Sequence, residues 1–276
     1  MSTKIEPFIY LSRYLRLKFY LLPLMRSHFF LIALFFALLP ATSKAQLNTR
    51  DSARTAVLYS LGPAVYVPMA SMANRYTPFS GVQVEALKKW QNGLLFGVAF
   101  DAFYGTSLKN AASIFDGLSN EQGNFIGVNG EWAFLNAGLS GGQLVARWGR
   151  LYPGNYNPNS GYLFLVGVGM QQTKIGIRNE RGNFPQLEAP MLYGYDRLHR
   201  GPLVQILARN LHLSHNERIN YSFGAVLNYA LTRSVRGFNI DTGLPDTALK
   251  HDLSMGVQFI WHLPAYAKQE SFYLLD

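Results

Sequence analysis

"HDLSMGVQFIWHLP", residues 251 to 264, sets Leu253, Met255, Val257, Phe259, Trp261 and Leu263 at every second position, with Asp252, Ser254, Gly256 and Gln258 between them. Successive side chains of a strand point to opposite faces, so this segment has one apolar side and one polar side. The same period of two runs through Tyr221, Phe223, Ala225, Leu227, Tyr229 and Leu231, through Leu94 to Tyr104, and through Tyr162, Phe164, Val166, Val168 and Met170. Runs near ten residues exceed the roughly five or six usual for soluble strands. What the apolar side faces, a buried core or lipid, decides the class of protein.

Composition favours a chain with a large apolar surface. Of 276 residues only 15% are charged, against about 25% in ordinary soluble domains, while 14% are aromatic and 25 are glycine. The absence of cysteine excludes a disulfide framework, thiolate metal ligation and a lipid-modified N-terminal cysteine. The net charge of +9 suggests nucleic acid at first sight. However, residues 1–45 hold six Lys/Arg and one acid; removing these from totals of 25 and 16 leaves 19 and 15, so the remainder is nearly balanced. No nucleic-acid partner is expected.

The basic start belongs to an export signal. From Met25 the chain reads MRSHFFLIALFFALLPATSKAQ: a short basic segment, an apolar run from Phe29 to Leu39, then Ser43 and Ala45 at the small-residue positions before a cut. Cleavage after Ala45 is expected. Residues 1–24 form a long basic and aromatic leader, with Met25 an alternative start. Later apolar runs are too short for a helix to span a bilayer. The mature domain is therefore expected at 46–276.

The alternation predicts eight strands, at about 55–67, 79–90, 94–105, 131–149, 162–178, 201–213, 219–234 and 251–263, with Gly141-Gly142 read as a bulge or bend in the fourth. Connections after strands two, four and six are the shorter ones: Gln91-Asn92-Gly93, "YPGNYNPNSG" and "SHNER". Those after strands one, three, five and seven are longer. An even strand count with alternating short and long ends is the pattern of an outer-membrane barrel, whose closure removes the unpaired edges that lipid does not tolerate.

On this pattern, over about residues 46–264, the chain resembles the small eight-stranded outer-membrane barrels of the OmpA/OmpX-like superfamily. The resemblance implies a closed antiparallel up-and-down transmembrane β-barrel in the outer membrane of a Gram-negative bacterium, surrounded by membrane lipid and lipopolysaccharide. It departs from many such barrels after Leu263, where "PAYAKQESFYLLD" continues as a tail over 265–276. The final strand is then recognised either at Phe259 and Trp261 or at Phe272-Tyr273.

Gly, Ser, Gln, Asn and Asp make too small and uncharged a set for a water-facing surface but can fill the lumen of an eight-stranded barrel. The apolar face then meets lipid, with Trp132, Tyr162, Tyr221, Tyr229, Trp261 and Tyr266 as interface anchors. Glu85, Asp101 and Asp252 are expected to point inward, and Arg147, Lys174 and Arg209 to pair with them, because a buried carboxylate without a cation is costly. Such pairs would seal the interior; a narrow, porin-like pore is the alternative.

No phosphate-cradling glycine loop, HExxH, GxSxG or paired metal-ligand spacing is present. Neither a metal nor another cofactor is expected. His199, His212, His215, His251 and His262 read as loop or rim residues. His251, Asp252 and Ser254 invite comparison with lipid-modifying hydrolases, but positions i and i+3 of a strand face opposite ways and cannot share a proton. No enzyme is expected.

Recognition falls instead to "EAPMLYGYDRLHRG", residues 188–201, where Met191, Leu192, Tyr193, Tyr195, Arg197, His199 and Arg200 combine aromatic and cationic groups favoured at binding hot spots. They suit anionic glycolipid or an acidic envelope protein; alternatively the loop folds over the barrel mouth with Asp196 pairing Arg197 or Arg200. The loop at 106–130 reads as mobile, with a short helix near 111–118. "NPNSG" and "GYDRL" also look like segments of outer-membrane barrels from gliding or protein-secreting bacteria, which implies a secretion-machinery accessory role.

Overall fold

A computed structural model of the protein describes residues 52–267 apart from 110–113, 116–118, 121–123, 182–183, 189–190, 215–218 and 240–241. The expected signal segment 1–45, His215, most of the helix expected near 111–118 and the tail from 268 lie outside the described residues. The period-two runs become eight long strands: β1 (Ala56–Met69), β2 (Phe79–Lys89), β3 (Leu94–Tyr104), β4 (Trp132–Gly154), β5 (Asn157–Arg181), β6 (His199–Leu213), β7 (Asn220–Ser234) and β8 (Lys250–Tyr266). One helical turn, α1 (Ala70–Ala73), follows β1. Two-residue strands also occur in the loops, Phe125–Ile126 against β4 and Phe238–Asn239 against Leu244–Pro245.

Each long strand pairs antiparallel with its sequence neighbours, and β8 returns to β1, from Ala56 opposite Tyr266 to Met69 opposite Leu253. The sheet is a closed eight-stranded barrel. Residues 90–93, 155–156 and 214–219 connect strands at one end; 70–78, 105–131, 182–198 and 235–249 connect them at the other.

Two local expectations are corrected. "YPGNYNPNSG" is mostly strand, with only Asn155 and Tyr156 between β4 and β5. The register shifts between Pro153 and Gly154 to close the turn. Asparagine side chains then supply bonds that turn composition alone does not reveal: Asn159 Oδ1 accepts from Arg54 N at 2.9 Å and Lys89 Nζ at 2.8 Å. Nor is there a bulge at Gly141-Gly142, which pair in unbroken register with Thr173 and Gln172. A Cβ on Gly141 would lie 2.3 Å from the Gln172 carbonyl oxygen. The residue permits close strand approach, and the β4–β5 shift lies instead between Phe134 and Leu135.

The last strand answers the question of facing. Met255, Val257, Phe259, Trp261 and Leu263 are exposed, while Asp252, Ser254, Gln258, Ile260 and His262 are buried. Ten steps from Leu253 to Leu263 make about 34 Å of strand, or roughly 26 Å along a barrel axis tilted about 40° to it. That matches the apolar band of about 25 Å on transmembrane barrels.

The interior is more apolar than a purely small-polar lumen. Leu58, Leu87, Leu95, Leu151, Leu163 and Leu211 lie inside towards the short-turn end. Tyr66, Phe79 and Phe103 pack inside towards the long-loop end, with ring centroids 5.2 to 5.3 Å apart. Polar and charged side chains fill the space between them.

At the long-loop end the rim is uneven. β3 leaves β4 at Tyr104–Ser140 and β6 leaves β5 at Thr173–His199, but β4 and β5 remain paired up to Phe134–Arg181. Six further residues of β4 lift this ribbon about 20 Å.

Candidate functional site

The first candidate is the interior. Glu85 on β2 forms ion pairs with Arg147 on β4 and, at 2.9 Å, with Arg209 on β6; all three side chains are enclosed. Arg147 Nη2 lies 3.5 Å from Asp101 on β3. From these ion pairs, hydrogen bonds continue outwards. Arg147 Nε donates to Gln205 at 2.6 Å, Gln205 to Asn228 at 2.7 Å, and Asn228 to Ser254 at 3.2 Å. Arg209 donates to Gln258 at 2.8 Å, and Gln258 to Tyr66 at 3.1 Å. One network therefore ties together β1, β2, β3, β4, β6, β7 and β8. Its cations and carboxylates compensate one another where solvation is poor.

Asp252 also points inward, but its cation is not one of the three expected. It pairs with Arg75 from the loop after β1 and accepts from Ser71 Oγ at 2.9 Å and Thr232 Oγ1 at 2.7 Å. Lys174 is corrected more sharply: its side chain is exposed on the outer face of β5, on the same side as Met170 and Gln172. A charge is tolerated there because β5 continues above the apolar band.

The histidines divide differently from the expectation too. His251 is exposed and lies 2.7 Å from Tyr229 Oη, while Ser254 is buried, so the two do face apart. His262 is neither loop nor rim: it sits inside, Nδ1 2.6 Å from Ser60 Oγ and Nε2 2.8 Å from Ser222 Oγ. Ser60 and His262 have the spacing of a nucleophile and its base, yet they are 6% and 0% exposed, so no substrate reaches them.

The second candidate is the pair of long loops at 182–198 and 235–249. Asp196 accepts from Arg236 Nε at 3.1 Å and Nη2 at 2.7 Å, rather than pairing with Arg197 or Arg200. The same guanidinium lies 4.3 Å from the centre of the Tyr193 ring. Val235 N donates to Leu198 O at 2.8 Å and Asp196 O accepts from Ile175 N at 2.7 Å, binding the loops to each other and to β5.

Of the residues expected to form a recognition surface, Met191, Tyr193 and Arg200 are exposed. Tyr195 packs against the core, and Arg197 is half-buried in a left-handed conformation with φ +40°. His199 is corrected: fully buried, it opens β6 and faces the barrel mouth, with Nε2 3.2 Å from Asp246 and 2.8 Å from Lys250 Nζ. Burial works against the Asp246 carboxylate, but the hydrogen bond and charge of Lys250, with help from His199, hold it below the ordinary aspartate range. Arg236 was missed by sequence reasoning. Its only signal is a cation directly before Gly237, at the end of a strand.

Of the aromatics expected as interface anchors, all but Tyr266 lie on the outer face. Tyr162, Tyr221 and Trp261 lie towards the short turns, and Tyr221 stacks on Phe259 with centroids 5.8 Å apart. Tyr229 lies towards the long loops; Trp132 stands on the raised ribbon. Tyr266 is corrected: at the end of β8 it shares the inward parity of His262, packs half-buried against the interior cluster and holds Arg54 over its ring at 5.8 Å.

No family model and no curated protein matches the chain. The solved structures it resembles include Ail, the attachment invasion locus protein of Yersinia pestis, in complex with the heparin analogue sucrose octasulfate. That match has 10% identity and a TM-score of 0.39, covering 76% of this chain and 98% of Ail. Neisserial surface protein A matches at 8% identity and 0.39, over 75% and 96%, and outer membrane protein OprG from Pseudomonas aeruginosa at 12% and 0.37, over 78% and 98%. This chain has the architecture of a small transmembrane barrel.

Proposed function

We propose that this chain is a non-enzymatic outer-membrane barrel of a Gram-negative envelope, serving as a structural, partner-binding or secretion-accessory protein through its outer loops. The observation that carries the proposal is the Glu85–Arg147–Arg209 network, which crosses the lumen between two apolar layers. Such an interior offers solutes no wide aqueous path. What the barrel presents outward is a pair of clasped loops with exposed Tyr193, Met191 and Phe238.

Affinity purification from mild detergent is the decisive experiment, and a stoichiometric envelope protein lost on Tyr193→Ala or Arg236→Ala is the expected result. Steady single-channel current in a planar bilayer would replace this reading with a narrow-pore transporter. The specific observation favouring that second reading is a set of buried polar atoms without partners, Asp101 Oδ1, Gln143 Oε1 and Gln171 Nε2, which water could solvate.

A further inference from the structure

Four exposed cations cluster on neighbouring strands at the long-loop edge of the apolar band. Arg233 on β7 is directly opposite Arg200 on β6, and Arg200 is opposite Gln172 on β5. Lys174 and Arg178 follow Gln172 on the same outer side of β5. Arg200 donates to Gln172 Oε1 at 2.9 and 2.5 Å, and Arg178 lies 4.7 Å from the Tyr104 ring centre. Among the described residues no ion pair joins any of the four to a carboxylate.

Like charges directly opposite on a sheet destabilise it unless a counter-charge is supplied. Among the described residues none is supplied. Below the cations, towards the mid-membrane, the same surface is apolar, with Val204, Ile206, Val168 and Met170 exposed. Beside them a cavity of about 210 Å³ is lined by Tyr104, Thr106, Asn136, Ser140, Lys174 and Arg178, which offer donors as well as charge. Anionic groups held over hydrocarbon chains would satisfy all three features at once.

The geometry points to a binding site for the phosphorylated sugar headgroup of an outer-leaflet glycolipid, its phosphates on Lys174, Arg200 and Arg233 and its acyl chains against the apolar wall beneath. This rests on the outer-membrane reading and names a partner within it. Several cations on three adjacent strands fit a headgroup with more than one phosphate better than a single phosphodiester. Charged side chains at a membrane surface contribute about fivefold each in affinity.

The test uses protein expressed from its full sequence, purified in nonionic detergent and shown to migrate as a folded, heat-modifiable band. Bound bisphosphorylated lipid A is counted by native mass spectrometry for the wild type, for the triple variant Lys174→Gln, Arg200→Gln, Arg233→Gln, and for Lys88→Gln with Arg150→Gln at the opposite end. The triple variant should retain lipid A about a hundredfold more weakly, with the opposite-end variant unchanged. Dephosphorylated lipid A and phosphatidylglycerol should both compete poorly. Equal retention by all three proteins, or equal competition by phosphatidylglycerol, overturns the site. A wild-type chain with no heat-modifiable band overturns the membrane reading itself, a result distinguishable from loss of this site alone.

Discussion

Arg209 Nη1 donates to Glu85 Oε1 at 2.9 Å across the lumen, joining β6 to β2 where both side chains are fully enclosed. The contact makes the two walls of the barrel interdependent, because each buried ion offsets part of the cost of enclosing the other.

Glu85→Gln should therefore destabilise the barrel by about 3–5 kcal/mol, since two buried guanidiniums lose their shared carboxylate. The urea midpoint of the folded band on unheated gels measures it. Glu85→Met combined with Arg209→Met should cost less than Glu85→Gln alone; a greater cost in the double variant would argue against a charge-balance role.

Val257 tests the facing of the strands. It is 63% exposed in the middle of β8, so Val257→Arg should cost about 2–4 kcal/mol in a bilayer. The same change in a water-facing wall would be nearly neutral. Folding efficiency into phosphatidylcholine vesicles, compared with that of Val257→Leu, provides the measurement.

Arg236→Ala should release the outer loops without unfolding the barrel. The Arg236–Asp196 pair is partly exposed, so about 1 kcal/mol or less is at stake. Chymotryptic cleavage after Tyr193 should accelerate severalfold, while the thermal midpoint of the heat-modifiable band stays within a few degrees.

Acid should loosen the same region through Asp246. Its carboxyl is held below its ordinary value of 3.8; a depressed acid contributes stability that is complete above the unfolded value and fades as pH falls through the folded one. Protection of the 235–249 loop against hydrogen exchange should stay flat from neutral pH to about 5 and fall below 3.8. Asp246→Asn should show low protection at neutral pH and lose the acid-dependent step.

Much of this barrel was legible in the sequence because lipid and lumen make opposite demands on alternate residues, as Leu253 to Leu263 show. The apolar interior layers were not, since "PLVQILARNLHL" carries leucines on the face opposite Val204 and Ile206 and so loses its polarity contrast. Lys174 shares its outward parity with Val168 and Met170. Placing it inside assumed that an outward charge must meet lipid, whereas its strand outruns the apolar band. His199 looked like a loop residue because no turn signal marks where β6 begins. The Asp196–Arg236 contact joins positions forty apart, and the antiparallel pairing of β6 with β7, His199 opposite Ser234, brings them together.

A plain cylinder is the same from every compass bearing, but this one has a mast on one flank where β4 and β5 outgrow their neighbours. Lys174 and Arg178 are carried on that mast. Whatever leans against it is held at a single azimuth, so the molecule has a front and a back in the plane of the membrane, and neighbours can be sorted by the side from which they approach.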